Sequence, residues 1–269
     1  NTLLRATAHA GAVTVTDLSD VPFQVANGGT AYYVNDASTA GDQYTTAPGN
    51  NANDGKTAAT PMASLAALLR AYDLDANDVI YIDTGVYRSP VTIELAEQDG
   101  GFVLQGPTLE GREAILDRGN ANQNVVLLAG ADNVTLRNVV ITGGNAGITN
   151  ESNIDSARLT LDGVVLRNNR TGLAISGGND RNTGYVIRNS EIHGNSGTGL
   201  QISGAQHRVE NNVIRNNSTG VGAGTSTGSY ATGIVISGNE IRSNSTGVSV
   251  SGRTTVENNQ VFLNTNGIN

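Results

Sequence analysis

Four side chains in the second half of the chain are of types that can transfer protons or hold a carboxylate. Asp155 and Asp180 are carboxylic acids, His193 is an imidazole, and Arg181 directly follows Asp180. Carboxylates and imidazoles act as general acids and bases, and a guanidinium can hold a carboxylate through two parallel hydrogen bonds. If the chain is an enzyme, we expect Asp155 or Asp180 to act as acid, base or calcium ligand and Arg181 to hold a substrate carboxylate.

Regularly spaced cations form a second set of candidates, and these are suited to binding. Arg167, His193, Arg215 and Arg242 each follow an apolar residue at the same place in a repeat. We expect them to form a basic stripe along one outer wall, which could serve as a track for an acidic polysaccharide, with Tyr230 as a sugar platform. The alternative, which the neighbouring glutamates favour, is a solvated face on which opposite charges balance each other.

Three aspartates near the start of the chain are candidates for binding calcium. Asp36, Asp42 and Asp54 supply the hard oxygen ligands that this cation prefers. A solvated acidic loop is the alternative, and it is the interpretation we favour. The Gly-Lys-Thr sequence at 55–57 resembles part of a phosphate-binding loop, but Asn50 stands where that motif requires glycine.

Composition excludes several classes of protein. The 269 residues carry 24 acidic and 16 basic side chains, giving a formal charge of -8, which argues against binding to a nucleic acid backbone. Cysteine is absent, so disulfides and thiolate sites are excluded. No apolar run is long enough for insertion into a membrane. Glycine and asparagine number 34 and 32, which excludes a helix bundle and favours a backbone with many left-handed corners.

An internal repeat accounts for much of this glycine and asparagine. Six segments begin at Leu136, Leu161, Ile187, Val209, Ile236 and Val256, and each has a second apolar residue five positions later. Two positions after each start the residue is always Asn or Gly, and a second such column contains Gly144, Asn169, Asn195, Asn217, Asn244 and Asn264. A further column is all glycine, at positions 147, 172, 199, 220, 247 and 267. Insertions fall only after the strand that follows this glycine.

The repeat predicts an all-β fold in which the chain winds as a right-handed, single-stranded parallel β-helix, with regular coils over 132–269. Short strands would stack along the axis, and their apolar columns would form one narrow core. Asn and Gly tolerate the positive φ that we expect at both corner columns. Asparagines stacked at one corner can also exchange amide hydrogen bonds along the axis as a ladder.

The first half of the chain is less regular but contains strands of the same kind. Ala31–Val34 and Val79–Ile82 are apolar or alternating, as are several short runs up to Val125–Leu128. One helix is predicted over 61–72, with Thr60 as N-cap and Pro61 at the first helical position. We expect this helix to cap the exposed end of the β-helix.

The segment around this helix resembles the opening segment of pectate-lyase-like β-helix proteins, a group that includes modules of large bacterial surface proteins. The matching stretches are Asn53–Thr57, Thr60–Pro61, Ala63–Leu65, Asn77–Ile82 and Gly85–Tyr87. Together with the coils, the resemblance covers residues 30–269. Residues 1–29 are expected to form a strand or linker arriving from a preceding module.

The resemblance implies specific chemistry for an enzyme of this fold. Lyases of this kind remove a proton beside a uronate carboxylate with Lys or Arg, often next to calcium, whereas the hydrolases use paired carboxylates and the epimerases a Tyr/His/Asp set. Lys56 lies outside the coils, and the sequence has no Asp-Asp pair. Glu191 and Arg188 accompany His193 on its coil, and Glu151, on the same loop as Asp155, completes the set from which a site would be built.

We therefore expect an extracellular, cell-surface β-helical module of a larger protein, acting as a stiff spacer, adhesin or filament unit, with contact to acidic polysaccharide left open. The alternative is a polysaccharide-active enzyme, a lyase before a hydrolase or an epimerase. Because the sequence stops inside a coil at Gly267–Asn269, a neighbouring module or subunit is expected to cover that coil. No nucleic acid partner is expected. His207 is expected to be an ordinary surface residue.

Overall fold

The computed structural model describes residues 5–10, 13–18, 30–151, 154–176, 182–224 and 233–269. From Thr30 onward the described chain winds as a right-handed parallel β-solenoid, which confirms the predicted fold class. Each full coil contributes one strand to each of three parallel sheets, called here the first, second and third sheets in chain order. The second and third sheets have eight strands each, and the first has nine, because Ala31–Val34 precedes the first full coil.

The strands of the three sheets repeat in the same order along the chain. The first sheet contains Ala31–Val34, Val79–Ile82, Val103–Gln105, Thr135–Arg137, Thr160–Asp162, Val186–Arg188, Arg208–Glu210, Ile234–Ser237 and Thr254–Glu257. The second sheet contains Gly85–Arg88, Ala114–Asn120, Val139–Gly144, Val165–Arg167, Glu191–His193, Val213–Arg215, Glu240–Arg242 and Gln260–Phe262. The third sheet contains Ile93–Ala96, Val126–Ala129, Ala146–Asn150, Thr171–Ile175, Thr198–Ser203, Thr219–Gly224, Thr246–Ser251 and Asn266–Ile268.

The apolar columns of the repeat lie in register inside the solenoid. Leu161 pairs with Ile187 in the first sheet and Leu166 with Ile192 in the second, and all four side chains are buried. The buried apolar residues form one continuous core along the axis. Each new coil therefore buries its apolar face against the coil before it, which is how a short repeat can build a stable core.

An asparagine ladder runs along the corner between the second and third sheets, as predicted. Asn195 donates its Nδ2–H to Oδ1 of Asn217 at 2.9 Å, and Oδ1 of Asn217 also accepts the backbone N–H of Asn195 at 3.1 Å. The same pattern continues from Asn217 to Asn244 and from Asn244 to Asn264. The ladder thus satisfies buried polar groups at a corner where a β-sheet cannot.

The predicted position of positive φ at this corner was wrong by one residue. Positive φ occurs at the residue before each ladder position, for example at Asn168, Asn216 and Leu263. Asparagine suits the ladder positions because its amide both donates and accepts, while the preceding residue makes the turn; Gly144 begins the ladder with its backbone N–H alone. The other Asn/Gly column does adopt positive φ, with 52° at Asn138 and 67° at Gly163.

A second ladder, which the sequence analysis missed, runs along the corner between the first and second sheets. Oδ1 of Asn239 accepts the backbone N–H of Asn212 at 2.9 Å, and Oδ1 of Asn259 accepts that of Asn239 at 2.9 Å. Ser190 continues the series, because its N–H donates to Oδ1 of Asn212. Its members follow the positive-φ column directly, so the repeated Asn-Asn and Gly-Asn pairs were the available signal.

The all-glycine column reflects the close stacking of consecutive coils. A Cβ at Gly172 would lie 2.5 Å from the carbonyl oxygen of Gly199, and one at Gly220 would lie 2.6 Å from that of Gly247. Both distances are shorter than van der Waals contact. Only glycine therefore lets the third-sheet strands begin at this spacing.

One helix, α1 (Leu65–Ala71), begins four residues later than predicted. The predicted N-cap Thr60 was wrong: Ser64 caps the helix, and its side chain accepts the N–H of Ala67 at 3.3 Å. Met62 is held instead in a bridge beside the first sheet, where its N–H donates to the carbonyl of Tyr33. The buried leucines of α1 join the core next to the strand Ile93–Ala96.

Before Thr30, the strands Arg5–Ala10 and Val13–Leu18 pair antiparallel. The predicted division into 1–29 and 30–269 stays a prediction. Three apolar side chains of the last coil, Phe262, Leu263 and Ile268, are exposed, and the partner predicted at this coil also stays a prediction. No helix in the described part of the chain has the length and apolar character needed to cross a membrane.

Candidate functional site

The predicted basic stripe exists as a column on the outer wall of the second sheet. Arg167 pairs in register with His193, His193 with Arg215, and Arg215 with Arg242. All four side chains are half-buried. The stripe is named here the second-sheet stripe.

Each arginine of the second-sheet stripe is neutralised by a carboxylate. Arg167 donates from two guanidinium nitrogens to the two carboxylate oxygens of Glu113, at 3.2 and 2.9 Å. Arg215 forms an ion pair with Glu191, and Arg242 forms one with Glu240. The stripe therefore presents alternating charges rather than a uniformly basic track, as the solvated-face interpretation predicts.

His193 is the titratable base of the second-sheet stripe. Burial lowers its pKa, the positive charges of Arg215 and Arg167 lower it further, and the carboxylates of Glu191 and Glu113 oppose this. The imidazole is therefore neutral near neutral pH and can accept a proton. The catalytic role predicted for His193 stays a prediction.

The other predicted catalytic residues are not brought beside His193. Asp155 is exposed at the corner between the third and first sheets, opposite the second sheet, and its Oδ1 accepts the N–H of Asn182 at 2.9 Å. This bond orders the start of the next coil. Asp180, Arg181 and Tyr230 lie outside the described residues, so their predicted roles stay predictions.

Of the three predicted calcium ligands, Asp36 lies near enough to Asp42 for its charge to act on that carboxyl, whereas Asp54 lies in a separate turn. Asp42 accepts hydrogen bonds from Asn35 and Thr45; its pKa is raised by burial first and then by the charges of Asp83 and Asp36. Asp54 instead accepts from the Lys56 amide and the Thr60 hydroxyl in its own turn. Across the described ranges, no three acidic or histidine side chains gather closely enough to hold a metal ion.

Asp83, which the sequence analysis missed, organises the loop that contains the predicted calcium ligands. It is fully buried and accepts the backbone N–H groups of Gln43, Tyr44, Thr45 and Thr84, all at 2.7 Å. Burial alone would raise its pKa, but these four bonds outweigh burial and the pKa is lowered. Its place directly after the buried strand Val79–Ile82 was the only sequence signal.

A column on the outer face of the first sheet was also missed. Tyr33 stacks on Tyr81 with ring centroids 5.6 Å apart, and Tyr44 packs against Tyr81 at 4.8 Å. The next residues in register are Gln105, Arg137, Asp162 and Arg188, all half-buried. This first-sheet column is therefore aromatic at one end and charged at the other.

The charged end of the first-sheet column is internally paired. Arg188 donates to Asp162 at 2.9 Å, and Asn189 donates to the same carboxylate at 2.8 Å. Burial acts to raise the pKa of Asp162, but these hydrogen bonds and the charges of Arg188 and Arg137 lower it overall. The carboxylate stays ionised and can accept further hydrogen bonds from a ligand.

His207 was wrongly predicted to be a surface residue. It is fully buried in the core beneath the first sheet, where its Nδ1 accepts the N–H of Tyr185 at 3.2 Å and its Nε2 lies 3.3 Å from the Ser203 carbonyl. Burial lowers its pKa to about 4. Tyr185 is also fully buried, and its hydroxyl donates to the carbonyl of Ser156.

Sequence comparison identifies the architecture independently. The family described as "Right handed beta helix region" matches residues 118–261, which is more than half of the chain. The chain belongs to this β-helix family. A comparison with curated proteins gave no significant match.

Solved structures share the fold at low sequence identity. A pectate lyase, Pel9A, aligns with a TM-score of 0.63 and 17% identity over 86% of this chain and 62% of its own. The lacto-N-biosidase of family GH136 from Eubacterium ramulus aligns with a TM-score of 0.58 and 13% identity over 86% of this chain and 56% of its own. The β-helix described here thus spans less than two thirds of either enzyme, and at these identities the likeness establishes the fold alone.

Proposed function

We propose that this chain is a stiff β-helical module of an extracellular, cell-surface protein whose first-sheet column holds a polysaccharide without cleaving it. The observation that carries the proposal is the composition of that column. Tyrosine rings offer a face on which a sugar ring can pack, and the amide, guanidinium and carboxylate groups beyond them can hydrogen-bond to hydroxyl or carboxylate groups. An extended polymer lying along the axis would meet these groups one coil at a time.

The stiffness of the module follows from the way its coils are joined. From Ser190 onward, two ladders of side-chain amides, three sheets and one core connect successive coils, so bending would break several of these at once. A rigid ladder of side chains lets successive sugar units bind with little loss of conformational entropy in the protein. The two solved enzymes compared above are named for saccharide substrates, which supports a saccharide as the ligand class.

Affinity electrophoresis in gels containing pectate, alginate, chondroitin sulfate or xylan tests the proposal. We expect at least one polymer to retard the wild type, and the Tyr33→Ala/Tyr81→Ala variant to migrate as it does without polymer. The matched control is Glu191→Gln/Arg215→Gln, which removes an ion pair from the second-sheet stripe and should leave retardation unchanged. Retardation lost only in this control would move the binding face to the second sheet and overturn the proposal.

A uronate polysaccharide lyase at the second-sheet stripe is the second candidate. It is favoured by one observation: neutral His193 lies in register between Arg167 and Arg215, so a base adjoins two guanidinium groups that would exchange Glu113 and Glu191 for a substrate carboxylate. Incubation with pectate and alginate, with and without calcium, should then give the absorbance of an unsaturated product that His193→Ala abolishes. A flat trace for the wild type on both substrates would exclude this candidate.

Location and calcium binding are further parts of the proposal. A surface location predicts that protease added to intact source cells removes the module. For calcium, the pair Asp36 and Asp42 is the place to test, because Asp42 retains a buried oxygen, Oδ1, that accepts no hydrogen bond among the described residues. Calcium should then raise the unfolding midpoint of the wild type but not of Asp42→Asn.

A further inference from the structure

Among the described residues, the second sheet has no strand in the coil that begins the solenoid. That coil supplies Ala31–Val34 to the first sheet, and α1 lies beside the first strand of the third sheet. On the side of the second sheet there is a pocket of about 300 Å³. Residues 36–37, 49 and 63–66 line it on one side and the strand Gly85–Arg88 on the other. The pocket therefore lies where a second-sheet strand of this coil would run.

The strand Gly85–Arg88 is paired on one edge only. Its partner is the strand of the next coil, and no strand of the described ranges pairs with its other edge. Gly85 and Ser89 donate their N–H groups to the paired side, at 2.9 and 3.2 Å. Because successive residues of a strand face alternate edges, Val86 and Arg88 direct their N–H groups toward the pocket. An open edge of this kind is a template for another strand.

The first and third sheets are covered at this end of the solenoid. Met62 forms a bridge with Val34 and donates its N–H to the carbonyl of Tyr33, which closes the edge of the first sheet. The helix α1 packs beside Ile93–Ala96 and covers the third sheet. In the described chain the second sheet is thus the one left open, and Val86 at its edge is 49% exposed.

The floor of the pocket is apolar. Leu65, Ile93 and Leu116 line it and are buried. Tyr87, which belongs to the inward column of the second sheet, also lines it, and its hydroxyl donates to the Asp83 carbonyl at 2.8 Å. A side chain that continued this inward column across the pocket would pack on these groups, so an aliphatic residue is favoured there.

Opposite charges lie at the two ends of the open edge. The Asp36 carboxylate lies against the start of the strand, where a Cβ placed on Gly85 would collide with its Oδ2. At the other end, Arg88 contacts Asp117 through Nε at 3.3 Å, and its side chain is 82% exposed. The remaining guanidinium N–H groups are available to a second carboxylate. A parallel strand that begins with a basic residue and ends with an acidic one matches both charges.

We propose that this pocket binds a short extended segment of another protein, which adds a strand to the second sheet parallel to Gly85–Arg88. In order, the segment carries a basic residue beside Asp36 and a β-branched residue opposite Val86. An aliphatic residue over Tyr87 and an acidic residue beside Arg88 follow. The aliphatic residue makes the central contacts: its N–H donates to the Val86 carbonyl, and its own carbonyl accepts the Arg88 N–H. The proposal does not rest on the function of the first-sheet column.

Amide NMR titration of the isotope-labelled whole chain with the capped peptide Lys-Val-Ile-Glu, up to millimolar concentration, tests the proposal. Calcium-free buffer at pH 7 keeps Asp36 available. We expect the peptide to shift the amide resonances of Val86 and Arg88. The charge-reversed peptide Glu-Val-Ile-Lys should bind about tenfold more weakly, because each end then meets a like charge. The same peptide with N-methylated isoleucine keeps its side chain but lacks the N–H for Val86, and it should not bind.

A variant of the protein removes the same contact from the other side. Val86→Pro deletes the N–H at the open edge, where proline is tolerated because no ladder bond within the sheet is lost, and it should abolish binding. Val86→Thr keeps both the N–H and a β-branched side chain, so this matched control should bind like the wild type. Tyr33→Ala/Tyr81→Ala should also bind normally, which separates this site from the first-sheet column.

Hydrogen exchange of the wild type gives a readout that does not depend on the folding of a variant. The Val86 and Arg88 amides should exchange rapidly in the free chain and slowly with the peptide bound. The proposal is overturned if the peptide does not bind, or if the charge-reversed or N-methylated peptide binds as tightly. It is equally overturned if both amides are already protected in the free chain, because another segment then occupies the edge.

Discussion

Replacing His207 should change how stability depends on pH. This imidazole is fully buried in the core, where Nδ1 accepts a hydrogen bond from Tyr185 and Nε2 faces the Ser203 carbonyl. Protonation would place an N–H against the N–H of Tyr185 and a charge in an apolar core. The pKa is accordingly lowered from 6.5 to about 4, and no charged group is among the causes.

The size and sign of the effect follow from this pKa. The unfolded chain binds a proton near pH 6.5, whereas the folded chain resists it until about pH 4. The stability contributed by neutral His207 is therefore complete above pH 7 and is lost as pH falls from there. At about 1.4 kcal/mol per pH unit, the loss is about 2 kcal/mol at pH 5 and about 3 kcal/mol at pH 4. Asp99 has the opposite effect on stability: its pKa is raised to about 6, so its contribution to the unfolding free energy grows as pH falls.

Urea denaturation of the wild type and His207→Asn at pH 7.5, 6, 5 and 4, followed by far-ultraviolet circular dichroism, isolates this term. The substituted amide would keep an acceptor for Tyr185 but cannot titrate. Between pH 7.5 and pH 4 the wild type should therefore lose about 3 kcal/mol more unfolding free energy than His207→Asn. His193→Asn, on the half-buried outer wall, is the matched control and should give a smaller change. Parallel stability curves for wild type and His207→Asn would refute the reasoning.

Three further predictions concern the corners of the coils, and each is measured by urea denaturation at pH 7.5. Asn217→Ala should lower the unfolding free energy by about 2–4 kcal/mol, because it leaves buried amide partners unsatisfied on two coils; a loss below about 0.5 kcal/mol would contradict the ladder's role. Gly220→Ala should be destabilising by more than about 1 kcal/mol, because its Cβ would meet the Gly247 carbonyl at 2.6 Å. Gly267→Ala, in the same column with no atom within 4 Å, should be near neutral, and equal losses at both sites would refute the steric argument. Leu263→Asn should be stabilising by about 1 kcal/mol, because Leu263 is 76% exposed at a φ of 54°, and a loss of stability would show that its side chain packs.

The sequence predicts the coiled half of the fold well because each repeat obeys the same local constraints. The apolar pairs, the glycine column and the ladder of Asn169 to Asn264 lie where the aligned repeats place them. The residue with positive φ lies one position before the predicted one. The reason is that asparagine recurs at the ladder for its side-chain hydrogen bonds and not for its backbone conformation. Ser243 and Leu263 adopt positive φ although neither type favours it. Stacking against the neighbouring coil fixes the corner regardless of local preference.

Functional residues were harder to predict, because they depend on contacts that no repeat encodes. For Arg215 the sequence left open a basic track or a face balanced by neighbouring glutamates, and the ion pair with Glu191 in the structure decides for the balanced face. Asp83 gave no pattern, since it closes a loop of forty residues. The tyrosines of the first-sheet column come from the irregular first coils, so alignment of the later repeats could not reveal that they stack.

Binding of an oligosaccharide series to the first-sheet column tests the central claim most directly. From Tyr33 to Arg188 the column spans six strands, or about 24 Å at about 4.8 Å per strand. For oligosaccharides of the polymer that retards the protein, we predict that affinity rises with length until the ligand reaches this span. We also predict that the recovered ligand is unshortened and that Tyr33→Ala/Tyr81→Ala abolishes the rise. Affinity independent of length, or recovery of shorter products, would contradict the claim that this wall holds a polysaccharide without cleaving it.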